Sequence, residues 1–248
     1  MAAGRARSPH AGPGSRRGIA TFTAYSPSHL VVLALFAIGT IGLLTYGPRL
    51  RGSPAERSVA VWFAVANLVL GTISALQALV PFHVDSSLPL QICGFGWVVI
   101  AWALFSPRPT PTALTYYWGL TLAVQALLQP TLTQPFPQPE FFVFFLKHAL
   151  MVWGAAYLTL VLRHGPDWSS YRRAVGWTLV WAVTVFVLNA VVGANYGYLN
   201  RKPTGTVLSY LGPWPVYVVA EMAIVMVGWA LITLPWAGRP RRREITLS

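Results

Sequence analysis

Residues 30–46 read LVVLALFAIGTIGLLTY, a run without a single charged side chain. At about 1.5 Å per residue, a helix of this length comes close to crossing the roughly 30 Å hydrocarbon core of a bilayer. The run is too long for the apolar core of a signal peptide, and no small-residue cleavage site follows it. We therefore predict a retained transmembrane helix.

Six further apolar runs follow, and prolines mark nearly every boundary between them, where helix ends are expected. The runs cover about 59–80, 90–105, 113–128, 141–162, 174–192 and 216–234. The chain of 248 residues is 55% hydrophobic and only 10% charged, whereas soluble domains carry about a quarter charged residues. The pattern predicts an all-α polytopic membrane protein with a bundle of seven transmembrane helices, and it excludes soluble enzyme folds.

The flanking segments complete the predicted domain organisation. Residues 1–28 are rich in Arg, Gly, Pro and Ser, which predicts a disordered basic tail. Residues 29–236 form the predicted seven-helix transmembrane domain. Residues 237–248 form a predicted basic cytoplasmic tail.

The basic residues predict the orientation of this bundle. Loops 47–58, 106–112 and 163–173, together with the C-terminal tail, carry 11 of the 18 Lys and Arg residues; the other face carries 6, and Lys147 lies within a run. Because cytoplasmic loops carry the excess of Lys and Arg, we predict that the N-terminus is outside and the C-terminus cytoplasmic, in the cell membrane. The net charge of +12 is then an orientation signal. Nucleic-acid binding is not expected, and membrane lipids are the predicted partners.

A few polar side chains interrupt the apolar runs at a common depth. Six of them, from six different helices, lie roughly 6 to 11 Å below the outer face at about 1.5 Å per residue: Gln77, Cys93, Gln125, His148, Asn189 and Glu221. The cytoplasmic halves of the third, fifth and seventh runs are almost wholly apolar. Because polar groups in hydrocarbon are costly unless they pair or line a cavity, this layer predicts a polar pocket that opens outward. The alternative is that each amide only bonds a neighbouring helix.

The outer loops extend the predicted binding region. Residues 129–140, QPTLTQPFPQPE, contain four prolines, which favour a stiff, extended rim. Loop 193–215 carries Arg201 and Lys202, a cationic pair suited to a phosphate headgroup, although an ordinary solvated loop is the alternative. Lys147 is expected to extend its ammonium toward the outer interface or a lipid phosphate.

Cys93 is the single cysteine, which excludes an intramolecular disulfide and a Cys-rich metal site. It lies one turn into its helix, where the helix dipole favours the thiolate, whereas apolar surroundings oppose it. His148, the only histidine within a run, could take the thiol proton as in Cys–His acyl transfer. Glu221 could orient that imidazole. A buried packing cysteine is the alternative. The other histidines show no metal-binding spacing, so neither a metal nor another cofactor is predicted.

Four segments carry a resemblance to a known family. LPLQIC (88–93), KHALMVWGAAY (147–157), NAVVGANYGYLNRKP (189–203) and LGPWPVY (211–217) resemble the YwaF-like bacterial integral membrane proteins, which are related to the eukaryotic transmembrane protein 164 family. The similarity runs from about the second to the seventh span. The segment with Asn195, Tyr196 and LGPWP is the most specific.

The resemblance implies a chemistry for the predicted pocket. The eukaryotic relatives resemble cysteine-dependent acyltransferases that move a fatty acyl chain between phospholipids, and the matching residues here are Cys93 and His148. The family commonly reads LPLHLC, so Gln91 stands where a histidine is expected. Glutamine can donate a hydrogen bond but cannot act as a base.

Three functions follow from these observations. The leading hypothesis is an outward-opening enzyme that acts on lipid acyl groups, with Cys93 as nucleophile, His148 as general base and Glu221 as its orienting group. The predicted binding residues are Gln77, Gln91, Gln125, Lys147, Asn189, Asn195, Tyr196, Arg201 and Lys202. The second hypothesis is a non-catalytic binder or sensor for a lipid or small molecule. A transporter is the third hypothesis, because it requires polar residues that continue through the cytoplasmic half of the helices, and the sequence does not show them.

Overall fold

The computed structural model describes residues 21–202 and 210–238, and within these ranges every regular element is helical. The α-helices are α1 (Pro27–Tyr46), α2 (Ala55–Ala78), α3 (Ile92–Phe105), α4 (Pro109–Tyr117), α5 (Ala123–Leu128), α6 (Pro139–Ala156), α7 (Trp168–Val192) and α8 (Val216–Thr233). A π-helical turn, Trp118–Leu122, joins α4 to α5, and a second one, Tyr157–Val161, extends α6. The described residues therefore form seven helical segments, and the prediction of an all-α chain is confirmed.

Five of the segments are long and apolar enough to cross a membrane, which makes the chain a multi-pass membrane protein. They are Pro27–Leu50, Ala55–Ala78, Pro139–Val161, Trp168–Val192 and Val216–Trp236. The apolar helix α3 is shorter, with 14 residues.

The described end of the predicted N-terminal tail contacts the loop that precedes α6. The backbone N–H of Phe22 donates to the carbonyl oxygen of Thr133 at 2.9 Å, and α1 begins at Pro27. The Phe22 ring packs against the rings of Phe141 and Phe145. The remainder of the predicted tail, 1–20, and residues 239–248 of the predicted C-terminal tail lie outside the described residues.

Helix α6 occupies the centre of the bundle. Of its apolar stretch, 72% of the residues are buried, compared with 6% in α1. It packs against α1, α2, α3 and α5. Small residues on α6 allow this close approach, as is usual between membrane helices: a Cβ at Gly154 would lie 3.4 Å from Nδ2 of Asn67, which itself donates to the carbonyl oxygen of Leu150 at 3.2 Å.

Helix α8 is attached to α4 near the end of the bundle where α3 and α6 terminate. The Tyr116 hydroxyl donates to the carbonyl oxygen of Ile232 at 2.9 Å, and the hydroxyls of Tyr117 and Thr233 are 2.6 Å apart. Helix α4 also packs against α3 and α7, and α7 packs against α8, so these four helices form a second packed group beside α6.

The crossing of α6 and the π-helical turn at Gly119 leaves no room for a side chain. A Cβ at Gly119 would lie 2.6 Å from Cβ of Ala155 and 3.2 Å from the carbonyl oxygen of Met151, and neither atom can move without α6. We expect Gly119→Ala to lower the free energy of unfolding by about 1–3 kcal/mol, the usual cost of overpacking. Unfolding by sodium dodecyl sulfate in mixed micelles measures it.

Gly42→Ala is the matched control, since no heavy atom lies within 4 Å of the added Cβ. Its free energy of unfolding should stay unchanged or rise by up to about 1 kcal/mol, because alanine favours helix more than glycine. Equal unfolding curves for the two variants would contradict the close crossing.

Candidate functional site

A cavity of about 450 Å³ lies at the end of the bundle where α3, α6 and α8 begin. Helices α2, α3, α5, α6, α7 and α8 all contribute to its wall. Most of the wall is apolar, and the polar side chains that line it include Ser74, Gln91, Cys93, Gln125, Lys147, His148, Thr178 and Glu221. Within 21–202 and 210–238, no three His, Cys, Asp or Glu side chains converge as metal ligands.

The cavity brings together four of the six polar side chains that the sequence placed at one depth: Cys93, Gln125, His148 and Glu221. The other two lie elsewhere. Gln77 is half-buried near the end of α2, and Asn189 is buried beneath loop 193–202.

Cys93 is positioned by a sharp turn at the start of α3. Gln91 caps the helix with an extended backbone, and its carbonyl oxygen accepts a hydrogen bond from the N–H of Gly94 at 2.7 Å. The chain comes so close to itself that a Cβ at Gly94 would lie 3.1 Å from the carbonyl carbon of Pro89. Because Gly94 has no side chain, Cys93 can sit in the first turn with its thiol at the cavity wall.

The side chain of Gln91 connects α3 to loop 193–202. Its Oε1 accepts a hydrogen bond from the backbone N–H of Gly197 at 3.0 Å. Gln91 therefore stabilises the loop that covers the start of α3. Gln91 also lines the cavity.

A backbone hydrogen bond determines which ring nitrogen of His148 carries the proton. Nδ1 lies 2.7 Å from the carbonyl oxygen of Phe144, one turn earlier in α6. Because a carbonyl oxygen can only accept, Nδ1 carries the proton, and in the neutral imidazole Nε2 is then free to accept one. The carbonyl of Phe144 thus orients the imidazole, the role expected of Glu221. Glu221 lines the same cavity.

Lys147 points into the bundle, so the expectation that it reaches the outer interface is wrong. Its side chain is 7% exposed, and Nζ donates to Oγ of Ser74 on α2 at 2.9 Å. The packing of α2 against α6 provides this partner. Lys147 and Cys93 both line the cavity.

Asn189 and Asn195 fold loop 193–202 rather than line the cavity. Nδ2 of Asn189 donates to the carbonyl oxygen of Tyr196 and to Oδ1 of Asn200, both at 2.9 Å, and its Oδ1 accepts from the N–H of Tyr196. Oδ1 of Asn195 accepts from the backbone N–H groups of Asn200 and Arg201.

Tyr196 joins this loop to the segment that precedes α3. Its hydroxyl accepts a hydrogen bond from the N–H of Leu88 and donates one to the carbonyl oxygen of Val84, both at 2.9 Å. Burial raises the pKa of the Tyr196 phenol above its ordinary value, so the hydroxyl keeps the proton that it donates.

The basic pair on the same loop also lies outside the cavity. Nζ of Lys202 donates to the carbonyl oxygen of Gly212 at 2.8 Å and stands 5.9 Å from the centroid of the Tyr217 ring, within the range of a cation–π contact. The Arg201 side chain is exposed. Of the nine predicted binding residues, the cavity therefore includes Gln91, Gln125 and Lys147, and the remaining six lie around or above it: Gln77, Asn189, Asn195, Tyr196, Arg201 and Lys202.

Comparison with known proteins gives the family. A model described as the TMEM164 family matches residues 24–233. The chain belongs to the TMEM164 family. The matched region contains every residue of the cavity wall. Searches of curated proteins and of solved structures found no match to the chain. The resemblance to transmembrane protein 164 is thus confirmed, and membership of the YwaF-like bacterial group stays a prediction.

The sequence prediction of the site omitted several hydroxyl side chains of this TMEM164 family protein that line the cavity, among them Ser74 and Thr178. Ser74 holds Lys147, and Thr178 lines the cavity while its Oγ1 accepts from Nε1 of Trp118 at 3.0 Å. Serine and threonine in helices commonly bond their own backbone, so their presence in an apolar run is a weak signal. The available signal for Ser74 was its depth, since it lies three residues before Gln77 and therefore close to the predicted polar layer.

We expect Tyr196→Phe to destabilise the cover over α3. The variant leaves the N–H of Leu88 and the carbonyl oxygen of Val84 without this partner. Because Val84 is exposed and Leu88 is half-buried, we expect a cost of about 0.5–1.5 kcal/mol, that of a typical hydrogen bond. Unfolding in mixed micelles measures the change. Tyr210→Phe is the control, because the Tyr210 side chain is 88% exposed and the variant should unfold like the wild type. Equal curves for both variants would contradict the proposed link.

Proposed function

We propose that this TMEM164 family protein is a membrane-embedded acyltransferase that moves a fatty acyl group between lipids through a thioester at Cys93. The observation that carries the proposal is that a thiol, an imidazole and an ammonium line one cavity with a largely apolar wall. Cys93 lies 12 residues from Phe105 and His148 lies 13 from Val161, so at about 1.5 Å per residue both stand roughly 18–20 Å from the opposite end of the bundle.

The first half-reaction forms the thioester. Nε2 of His148 takes the proton of the Cys93 thiol as the sulfur attacks the ester carbonyl of a lipid. The new bond joins sulfur to the acyl carbon, and the bond from that carbon to the glycerol oxygen breaks. The imidazolium then returns its proton to the departing oxygen, which leaves as the hydroxyl of a lysolipid.

The second half-reaction transfers the acyl group. The hydroxyl of an acceptor lipid loses its proton to Nε2 of His148 while its oxygen attacks the thioester carbonyl. The carbon–sulfur bond breaks, and the sulfur recovers a proton from the imidazolium. Leu122, Met222 and Val225 give the acyl chain an apolar wall.

Lys147 contributes charge to both steps. Held by Ser74 at the wall of the same cavity, its ammonium is proposed to stabilise the thiolate and the oxyanion that develops on the acyl carbonyl. An oriented positive charge is worth more at a site shielded from water than in bulk solvent.

The seven helical segments are proposed to span the cell membrane, with the cavity on the outer side. Helix α3 is only about 21 Å long at 1.5 Å per residue. The non-helical segment 79–91 completes its crossing, and such backbone is tolerated at membrane depth where protein covers it or where it lines a cavity. The basic loops at the opposite end favour a cytoplasmic C-terminus.

The enzyme should carry an acyl group on Cys93. Purified protein incubated with a phospholipid that bears an alkyne on its acyl chain is expected to gain one acyl mass, which hydroxylamine releases. Cys93→Ala should gain none. His148→Asn keeps a donor for the Phe144 carbonyl but lacks the base, so the acylation rate should fall by about 10²–10⁴-fold. Intact-protein mass spectrometry follows the reaction.

Unfolding in mixed micelles controls for folding of both variants. Acylation of Cys93→Ala at the wild-type level would remove the thiol from the mechanism. An unchanged rate in His148→Asn would remove the imidazole.

The orientation is tested with reporter fusions in a bacterial host. A green fluorescent protein at the C-terminus should fluoresce, because that terminus is proposed to be cytoplasmic. Alkaline phosphatase fused after Asn200, in the proposed outer loop, should be active. The opposite pattern of fluorescence and phosphatase activity would place the cavity on the cytoplasmic side.

A non-catalytic lipid binder is the second candidate, and Gln91 is the observation that favours it. The residue stands where the family resemblance expects a histidine, and its Oε1 is bonded to Gly197. In this case lipid copurifies with the protein, as native mass spectrometry would detect, and no acyl group becomes covalent at Cys93.

A further inference from the structure

The cavity continues along α8 toward the opposite end of the bundle. Glu221, Val225 and Trp229 recur every four residues, so they share one face of α8, and all three line the cavity. At about 1.5 Å per residue, this wall extends for roughly 12 Å. The carboxylate of Glu221 marks its polar end, and the indole of Trp229 marks the other.

Two contacts hold the indole of Trp229 in place, and a third fixes its backbone. Its Nε1 donates to Oγ1 of Thr121 at 3.0 Å, and its ring lies 5.0 Å from the ring of Tyr117. The Tyr117 hydroxyl is in turn bonded to Oγ1 of Thr233, which donates to the carbonyl oxygen of Trp229 at 2.6 Å. The residue is only 2% exposed. A ring fixed in this way is a rigid wall.

Trp229 lies below the reacting sulfur. It is seven residues from Trp236, the last residue of the helical segment, which places it about 10 Å from that end of the bundle at 1.5 Å per residue. Cys93 stands at about 18 Å by the same measure. A chain attached to the sulfur and directed inward along α8 therefore meets the indole before it reaches the opposite end of the bundle.

We propose that Trp229 forms the floor of an alkyl-chain channel and determines the length of chain that the site accepts. The identity of the chain as an acyl group rests on the proposed function, whereas the channel itself follows from the cavity wall. Each methylene that fits above the floor packs against the apolar wall of the cavity. A methylene beyond it has to displace a fixed ring.

Alkyl methanethiosulfonates of increasing chain length test this proposal without any acyl transfer. The Cys93 thiolate attacks the sulfenyl sulfur, a disulfide forms and methanesulfinate leaves. Since the chain has one cysteine, no other thiol competes. In the wild type, the rate of modification should rise with chain length and then fall where the chain reaches Trp229.

Two substitutions should move this maximum in opposite directions. Val225→Phe adds bulk one turn above the floor and is expected to slow the longest reagents by about tenfold or more, the effect of one overpacked side chain. Trp229→Ala should shift the maximum to longer chains. Val227→Phe, on the same helix but 60% exposed, is the matched control and should leave the profile unchanged.

The ratio of variant to wild-type rates at each length cancels the partition of the reagent into micelles. If Val225→Phe and Val227→Phe give the same profile, Trp229 is not the floor, even where Trp229→Ala fails to fold. A length maximum that moves as expected without any acylation by phospholipid would support the channel and reject acyl transfer. Acylation by phospholipid together with a chain-length profile that Val225→Phe leaves unchanged would support acyl transfer and reject the channel.

Discussion

Every polar group inside hydrocarbon has to find its partner within the protein, and the short helix α3 makes this requirement acute. Helix α3 has only 14 residues, so the non-helical segment 79–91 before it has to be stabilised by contacts with other parts of the chain. Loop 193–202 and α7 provide them: the Tyr196 hydroxyl binds the N–H of Leu88, and Nε1 of Trp181 donates to the carbonyl oxygen of Leu90 at 2.9 Å. The wall of the cavity exists because this non-helical segment is held at the level of the helices.

The same requirement fixes the positions of Lys147 and His148. Lys147 is fixed by a hydroxyl on α2, and His148 is fixed by a carbonyl of its own helix. Ser74 accepts one of the three N–H groups of the Lys147 ammonium, and the Phe144 carbonyl leaves Nε2 of His148 as an acceptor. Fixed donors and acceptors of this kind are what preorganised sites require. The central position of α6 contributes directly, since a helix surrounded on most sides can hold an ammonium and an imidazole away from lipid.

Much of this arrangement could be predicted from the sequence, and the part that could not has a geometric cause. Apolar runs and prolines predict where helices lie, and the rise per residue predicts the depth of a side chain, so the sequence places Cys93, Gln125, His148 and Glu221 at one level. Depth does not give the direction in which a side chain points around the helix axis. Asn189 shares the level and yet folds loop 193–202, and the inward turn of Lys147 depends on a neighbouring helix that periodicity does not identify.

The departure at Gln91 has a structural interpretation that separates two roles of one position. Its Oε1 accepts from the N–H of Gly197, and the unprotonated nitrogen of a neutral histidine is also an acceptor. Either residue can therefore hold loop 193–202 over α3, whereas only histidine can also move a proton. If the position served chiefly as a base, glutamine would remove catalysis and leave the fold intact. In the proposed mechanism Nε2 of His148, which lines the same cavity, performs the proton transfer, so the anchoring role is the one that Gln91 retains.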